Sequence, residues 1–538
     1  MGSTLDELQS QLGLGIWTFL TICPIMYYWF PFYLILASKF SSAFHVRKTY
    51  LRSDIPEKKD GAWDTCNYLA NGTEVQPCTE WDFDHSTFKE TLTSEFSLVC
   101  SRENLRATYQ SLLMLGAVAG ASFCGFLADR FGRKPCIQIG YILYSIVCIV
   151  PFWSHNFQFI LVARFLAGVC YPSILMTGYV LAMEMVVPQQ RTVWGLVLFL
   201  PWCVGTSMWG LLGYLIREWR YLQLASTLPY IILIPALWWM NESPRWLLVN
   251  GHTERARVVL GKAARWNKLK LTDQQIEKYI QEAQEELNTS RYLDPKTKVQ
   301  NGIISYIKTT SQDLIKSVII LFGSPKIRVI TLASFLSMFV TSMVFFGLSL
   351  NAVNFGMDAF TYMALTGLME LPGYTLTIPI AARLGRKLPI IICFLASGAS
   401  LLTLPFIPEE ITWLKIILAM MGKLAISAAF TILYLYVIEL FPTDVRMRGA
   451  GLAMLLSRIG SVCSPYVTDV LEYVYQYICE KLFFNTIIQL VLLNMPPDKS
   501  LGVLKYEAAL KLQAYRQYIH NSKDKNDPAE LKNLDLQT

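Results

Sequence analysis

Three ionisable side chains sit inside stretches that are otherwise greasy: Arg458 in "LAMLLSRIGSVCSPYV" (452–467), Glu370 in "TGLMELPGY" (366–374) and Lys423 in "AMMGKLA" (419–425). An arginine at bilayer depth costs roughly 2.5–3.5 kcal/mol on insertion scales, so it must meet a compensating group. Gly449 marks one end of the apolar stretch, and Arg458 lies nine residues further on. That is about 13–14 Å along a helix, near the middle of a ~30 Å hydrocarbon core and too deep to snorkel comfortably. A fixed guanidinium at that depth can hold a carboxylate through two parallel hydrogen bonds. The competing arrangement is an internal ion pair with Glu370. Glu370 lies 13 residues before Arg383, about 20 Å above that boundary. It either balances Arg458 or receives an ammonium group, and the residues leave both roles open. Lys423 is read near the outer end of its span, as an entrance charge or a snorkelling residue.

Enzymatic chemistry finds no footing. No nucleophile–base pair, no clustered His/Cys spacing and no G-x-x-x-x-G-K-[ST] loop is visible, so neither a metal nor a cofactor is expected. Movement of a solute would then run on a gradient, on exchange or on facilitated flow. The chain of 538 residues is 53% hydrophobic and 16% charged, with a mean hydropathy of +0.36. A soluble protein would carry about 25% charged residues. The formal charge of +7 is modest, and no basic aromatic surface points to nucleic acid. The partner to expect is the lipid bilayer.

The elements that must position these charges are spanning helices, predicted at 16–37, 107–127, 136–153, 158–181, 193–215, 222–239, 327–350, 359–380, 388–407, 413–437 and 449–468. A twelfth, 472–494, is irregular, with Glu472, Glu480 and Lys481 where a plain apolar helix is expected. Either its charges face the protein interior or the helix is damaged. The chain divides into a cytoplasmic N-terminus (1–15), a first six-helix half (16–239), a polar linker (240–325), a second half (326–495) and a cytoplasmic tail (496–538). The compact basic turns "DRFGRKP", "RLGRKLP" and "DVRMRG" fall on one side, which the positive-inside rule makes cytoplasmic. "REWR" (217–220) falls outside and is outvoted. Loop 38–105 is then extracellular, with Cys66, Cys78 and Cys100 as disulfide candidates and Asn71 in a glycosylation sequon. Three cysteines are an odd number, so one lacks a partner within the loop. The charged stretch 252–291 reads either as a short amphipathic bundle against the cytoplasmic face or as a solvated linker.

"LADRFGRKP" recurs six spans later as "AARLGRKLP". Gly allows the reversal between spans, and the basic residues hold the turn at the headgroups. Two copies at matching positions indicate two parallel six-helix halves. Asp129 is expected to face a cation or a helix N-terminus across the seam between halves. Around the two turns, Asp129, Arg130, Arg133 and Arg383 form the gating set. Glu184 and Glu439, close in sequence to Arg191 and Arg446, read as latch pairs with them. Trp202 in "LPWCVG" is a further pocket residue, with Pro201 expected to unwind the helix locally.

The ordered motifs "FDHSTFKETLTSEFSLVC", "ADRFGRK", "ARFLAG", "NESPRWLL", "GLSLNA", "ELPGY" and "YLYVIELFPTDVRMRGAG" resemble those of the major facilitator superfamily. Within it they resemble the organic ion transporters, which include organic anion, organic cation and carnitine carriers. The resemblance covers nearly the whole chain. It implies an all-α membrane fold of two six-helix halves around a central cavity, with a large extracellular loop after the first helix. It also implies alternating-access transport of a small organic ion at the plasma membrane. Phe345, Phe346, Phe430 and Tyr434 match cavity-lining aromatic positions of the family; Phe430 and Tyr434, four apart, share a helix face. At the position of Arg458 the anion and carnitine carriers have Arg and the cation carriers Asp, which implies organic anions or carboxylate-bearing zwitterions. The alternatives are a cation carrier using Glu370 and, in another class, a non-transporting membrane binding protein. Ala382 stands where the family usually has Asp, implying a weaker second latch.

Overall fold

The structure is a computed structural model; it describes residues 88–187, 190–267, 273–293, 321–323, 325–350, 358–408, 411–441 and 446–470, with short pieces between 46 and 85. The first and twelfth expected spans, the tail and Asn71 lie outside the described residues.

Long apolar runs without polar interruption leave the backbone no option in lipid but to satisfy itself as helix. In chain order the helices of the first half are α1 (Leu92–Glu95), a short turn at the end of the loop, and α2 (Glu103–Phe131), α3 (Arg133–Ile149), α4 (Phe157–Met185), α5 (Arg191–Val197), α6 (Leu200–Leu215) and α7 (Trp219–Leu233). The charged stretch folds as α8 (Pro244–Val249), α9 (Thr253–Trp266) and α10 (Asp273–Leu293). The second half supplies α11 (Pro325–Leu350), α12 (Ala359–Leu384), α13 (Lys387–Thr403), α14 (Thr412–Leu440) and α15 (Arg446–Val470). Among the described residues five helical segments are long and apolar enough on their own to cross a bilayer, six if a bent pair counts as one. The others carry charged or small polar residues and depend on their neighbours. The expected unwinding at Pro201 is seen: α5 stops at Val197 and α6 restarts at Leu200 with the proline in its first turn.

Each half has its own core. One runs through Leu113, Tyr141, Tyr144, Tyr171, Leu181 and Tyr230. The other runs through Val344, Tyr362, Phe394, Ile432 and Val437, and Trp202 packs against both. The amphipathic-bundle reading of the linker holds: Ala256, Val259, Leu260, Ile276 and Ile280 join the first core. The two Gly-Arg-Lys turns match in conformation as well as in sequence. Gly132 (φ +105°) and Gly385 (φ +74°) occupy the left-handed region that side chains disfavour. One end of the molecule, the basic face, carries these turns. The opposite end, the loop face, carries two short ribbons, β1 (Val46–Arg47) with β4 (Asp82–Phe83) and β2 (Asn67–Ala70) with β3 (Glu74–Pro77), plus the Cys66–Cys100 disulfide. Of the three candidate cysteines, Cys78 lies outside that bridge.

The halves meet along two helix pairs, α2 with α15 and α6 with α12. Contacts between them gather toward the loop face. Ser111 Oγ donates to the Val462 carbonyl at 2.7 Å, and the Thr108 and Tyr466 hydroxyls lie 3.0 Å apart. On the other seam Ser207 Oγ donates to the Ala364 carbonyl at 3.1 Å. Gly210 has the Phe360 carbonyl so close that a Cβ there would clash.

Candidate functional site

Lys423 lies eleven residues into α14, about 16 Å from its end. That depth overturns the entrance or snorkelling reading, which placed it near the outer end of its span. Its side chain is 0% exposed and its Nζ sits 2.8 Å from Glu370 Oε1, whose side chain is 1% exposed. The ammonium also donates to the Ser349 hydroxyl at 2.6 Å and the Phe345 carbonyl at 3.2 Å, and lies 3.4 Å from the centre of the Phe345 ring. Glu370 completes its shell by accepting from the Trp202 indole N–H, a bond that joins the two halves. Each buried charge is thus paired and hydrogen-bonded, the condition under which such a pair is tolerated at all. Glu370 is therefore the partner of Lys423 and not of Arg458.

Arg458, half-buried on α15, lies near enough to Tyr171 on α4 for its charge to act on that hydroxyl. Tyr434 on α14 is close enough to feel its charge. Among the described residues no carboxylate comes within ion-pair distance of it. The aromatic positions bridge the two charged centres. Phe345 lies 6.1 Å from Trp202, 5.3 Å from Phe346 and 5.7 Å from Phe430 between ring centres. Phe430 and Tyr434 continue the wall along one face of α14 to Arg458. The arrangement offers a neutralised acid–base pair at one end, rings between, and an uncompensated guanidinium at the other.

Residues 107–465 match the family model of the Major Facilitator Superfamily. The chain is 32% identical over 397 residues to the organic cation transporter protein of Drosophila melanogaster, covering 74% of this chain and 69% of the relative. It is 31% identical to organic anion transporter 3 of Oryctolagus cuniculus (74% and 70%) and 31% identical to solute carrier family 22 member 13 of Homo sapiens (74% and 68%). The chain belongs to the organic ion transporters of the major facilitator superfamily. These are carriers, not enzymes. Its fold is also that of the xylose transporter XylE from E. coli in an inward-open form, with TM-score 0.62, 14% identity, and coverage of 91% and 98%.

One latch pairing expected of this transporter is corrected. Glu184 pairs with Arg133 at 3.3 Å, not with Arg191, whose Nε donates to the Val186 carbonyl and so closes the end of α4. Glu439 pairs with Arg386 at 3.0 Å; the expected partner Arg446 has its side chain outside the described residues. The arginine of each Gly-Arg-Lys turn therefore binds a glutamate at the end of the matching helix in its own half, α4 or α14. The repeat is thus one of ion pairing too. Asp129 is another departure: it joins Arg133 at 3.2 Å, one turn away, stays 77% exposed and does not cross the seam. Arg130 lies over the rings of Phe126 and Phe131, and Arg383 is exposed.

Sequence reasoning passed over three residues. Arg164 is buried in α4 with its guanidinium 4.7 Å from the centre of the Tyr109 ring. The rule that flagged Arg458 applies to it equally, but it was absorbed into a motif. Glu242 accepts from the backbone N–H groups of Arg133 and Lys134 at 3.1 Å, capping α3 and tying the linker to the first basic turn. Arg220 pairs with Glu95 and donates to the carbonyls of Pro151, Phe152 and Ser154. That consumption of charge explains how an arginine sits on the side opposite the basic turns.

Proposed function

We propose that this transporter carries organic anions or carboxylate-bearing zwitterions across the plasma membrane by alternating access, with the loop face outside. The observation that supports the charge class is the pairing of Glu370 with Lys423, which leaves Arg458 a cation with no carboxylate partner among the described residues. A substrate carboxylate completes Arg458 as a bidentate acceptor, while its organic body packs on Phe346, Phe430 and Tyr434. A cation carrier would instead have to draw Glu370 away from Lys423 and leave a buried ammonium unpaired, a cost of about 3–5 kcal/mol.

Alternating access has its support in the uneven seam. Apart from the central Trp202–Glu370 bond, the cross-half hydrogen bonds among the described residues lie toward the loop face, whereas the described ion pairs at the basic face stay within each half. The cavity is thus closed toward the loop face, and rocking about the central rings would expose it there. Arg133, Glu184, Arg386 and Glu439 brace the basic turns through that motion, with Asp129 positioned to engage the other half when the basic face closes. Energy comes from a solute gradient or from exchange.

The test is uptake of three labelled probes into expressing cells: a monocarboxylate, a carnitine-like zwitterion and a quaternary ammonium. Wild type and Arg458→Ala are compared at equal surface amount. Entry of either carboxylate probe, abolished by the substitution, is the expected result. Entry of the quaternary ammonium alone, unaffected by Arg458→Ala, would make the arginine a structural residue.

A further inference from the structure

The segment between the ribbons and α2 is fastened almost wholly to the first half. Its backbone pairs with the stretch before α7: Lys89 N–H donates to the Arg217 carbonyl at 3.1 Å, and Trp219 N–H to the Glu90 carbonyl at 3.2 Å. Glu95 accepts from the Trp219 indole at 2.8 Å and from Arg220 Nε at 3.1 Å. Lys89 adds an ion pair to Glu218 at 3.5 Å. Thr91 and Ser94 cap α1 reciprocally, fixing Leu92 and Leu98 into a small core with Tyr109, Ile160 and Trp219. The Cys66–Cys100 disulfide closes the segment's far end.

Phe88 breaks this pattern. It is buried, and its ring lies 5.0 Å from that of Phe360 at the start of α12, in the other half. The two rings form a separate cluster with Trp209, Leu222 and Met363, and Tyr214 packs edge-on to Phe360 at 5.9 Å. Close by in sequence on α6, Gly210 has the Phe360 carbonyl so near that a Cβ there would clash. A ring held rigidly by one half and buried against the other sits where the loop-face ends of α6 and α12 must part for the cavity to open.

We propose that residues 88–95 form a strap that moves with the first half, and that Phe88 against Phe360 is the latch that holds the loop-face gate closed. The contact exists in the closed arrangement alone, so it biases the carrier toward that state by its differential burial. Nothing in this requires a particular substrate.

The test reads gate opening without transport. Met363, buried in the same cluster, is replaced by Cys in the full chain, and its modification by a membrane-impermeant thiol reagent applied at the loop face is timed. The labelling of each background with Met363 intact is subtracted. Phe88→Ala is expected to raise the rate about tenfold or more, since a large buried ring is lost from one state only. Phe360→Ala should do the same, and the double substitution should add little to the larger single effect, because both remove one contact. Phe88→Leu, which keeps an apolar plug, should fall between and decides the matter if an Ala variant fails to reach the membrane. An unchanged rate in these variants, or independent effects that multiply in the double, would overturn the latch.

Discussion

Lys423 and Glu370 show what a single residue can conceal. Each reads as a lone charge in an apolar stretch, and the entrance reading of Lys423 misses that the predicted span 413–437 already places it ten residues from that span's start. Only the packing of α14 against α12 and α11 shows that each answers the other. Removing one partner strands the second: Lys423→Met should cost about 3–5 kcal/mol. Replacing both, as Lys423→Met with Glu370→Gln, should recover most of that loss. Thermal unfolding in detergent compares the two, and a double variant no more stable than the single would show that the pair is not a unit. Arg458 was flagged by its own type and depth, but that it has no acidic partner among the described residues became visible only once Glu370 was accounted for.

At the scale of elements, the repeat of Gly-Arg-Lys was plain in the sequence because a turn is local chemistry. Its partners were not. Proximity along the chain favoured Arg191 for Glu184, yet the start of α3 packs beside the end of α4 and supplies Arg133 instead. The two copies should differ in weight. Arg133 and Glu184 are 14% and 15% exposed, Arg386 and Glu439 43% and 51%. Glu184→Gln should therefore destabilise by about 1–3 kcal/mol and Glu439→Gln by less than ~1 kcal/mol; equal melting shifts would refute the distinction. In the loop, Cys66→Ser or Cys100→Ser should cost about 2–4 kcal/mol by freeing a long closed segment. Limited proteolysis from the loop face reads both.

For the whole molecule, composition and twelve-span counting conveyed the membrane setting and the two halves, because hydrophobic periodicity and charge asymmetry follow directly from the bilayer. Conformation was not legible there. On the proposed alternating-access reading, which face is closed depends on contacts such as Ser111 to Val462 and Phe88 to Phe360, between residues hundreds of positions apart, and one sequence must serve both states. The same separation hid the docking of the linker through Glu242, although its amphipathic pattern was visible. A single charge at mid-depth is nonetheless where the two levels meet, since a cavity between two halves has the polarity its uncompensated residues give it.

Arg458→Asp is the most direct probe of that polarity. The quantity to measure is the ratio of monocarboxylate to quaternary ammonium uptake at matched surface amount, in wild type and in the variant. The account requires the ratio to fall by about a hundredfold or more, the equivalent of some 3 kcal/mol for losing a charge-assisted pair and gaining repulsion. A variant that reaches the surface and keeps the wild-type ratio would contradict it.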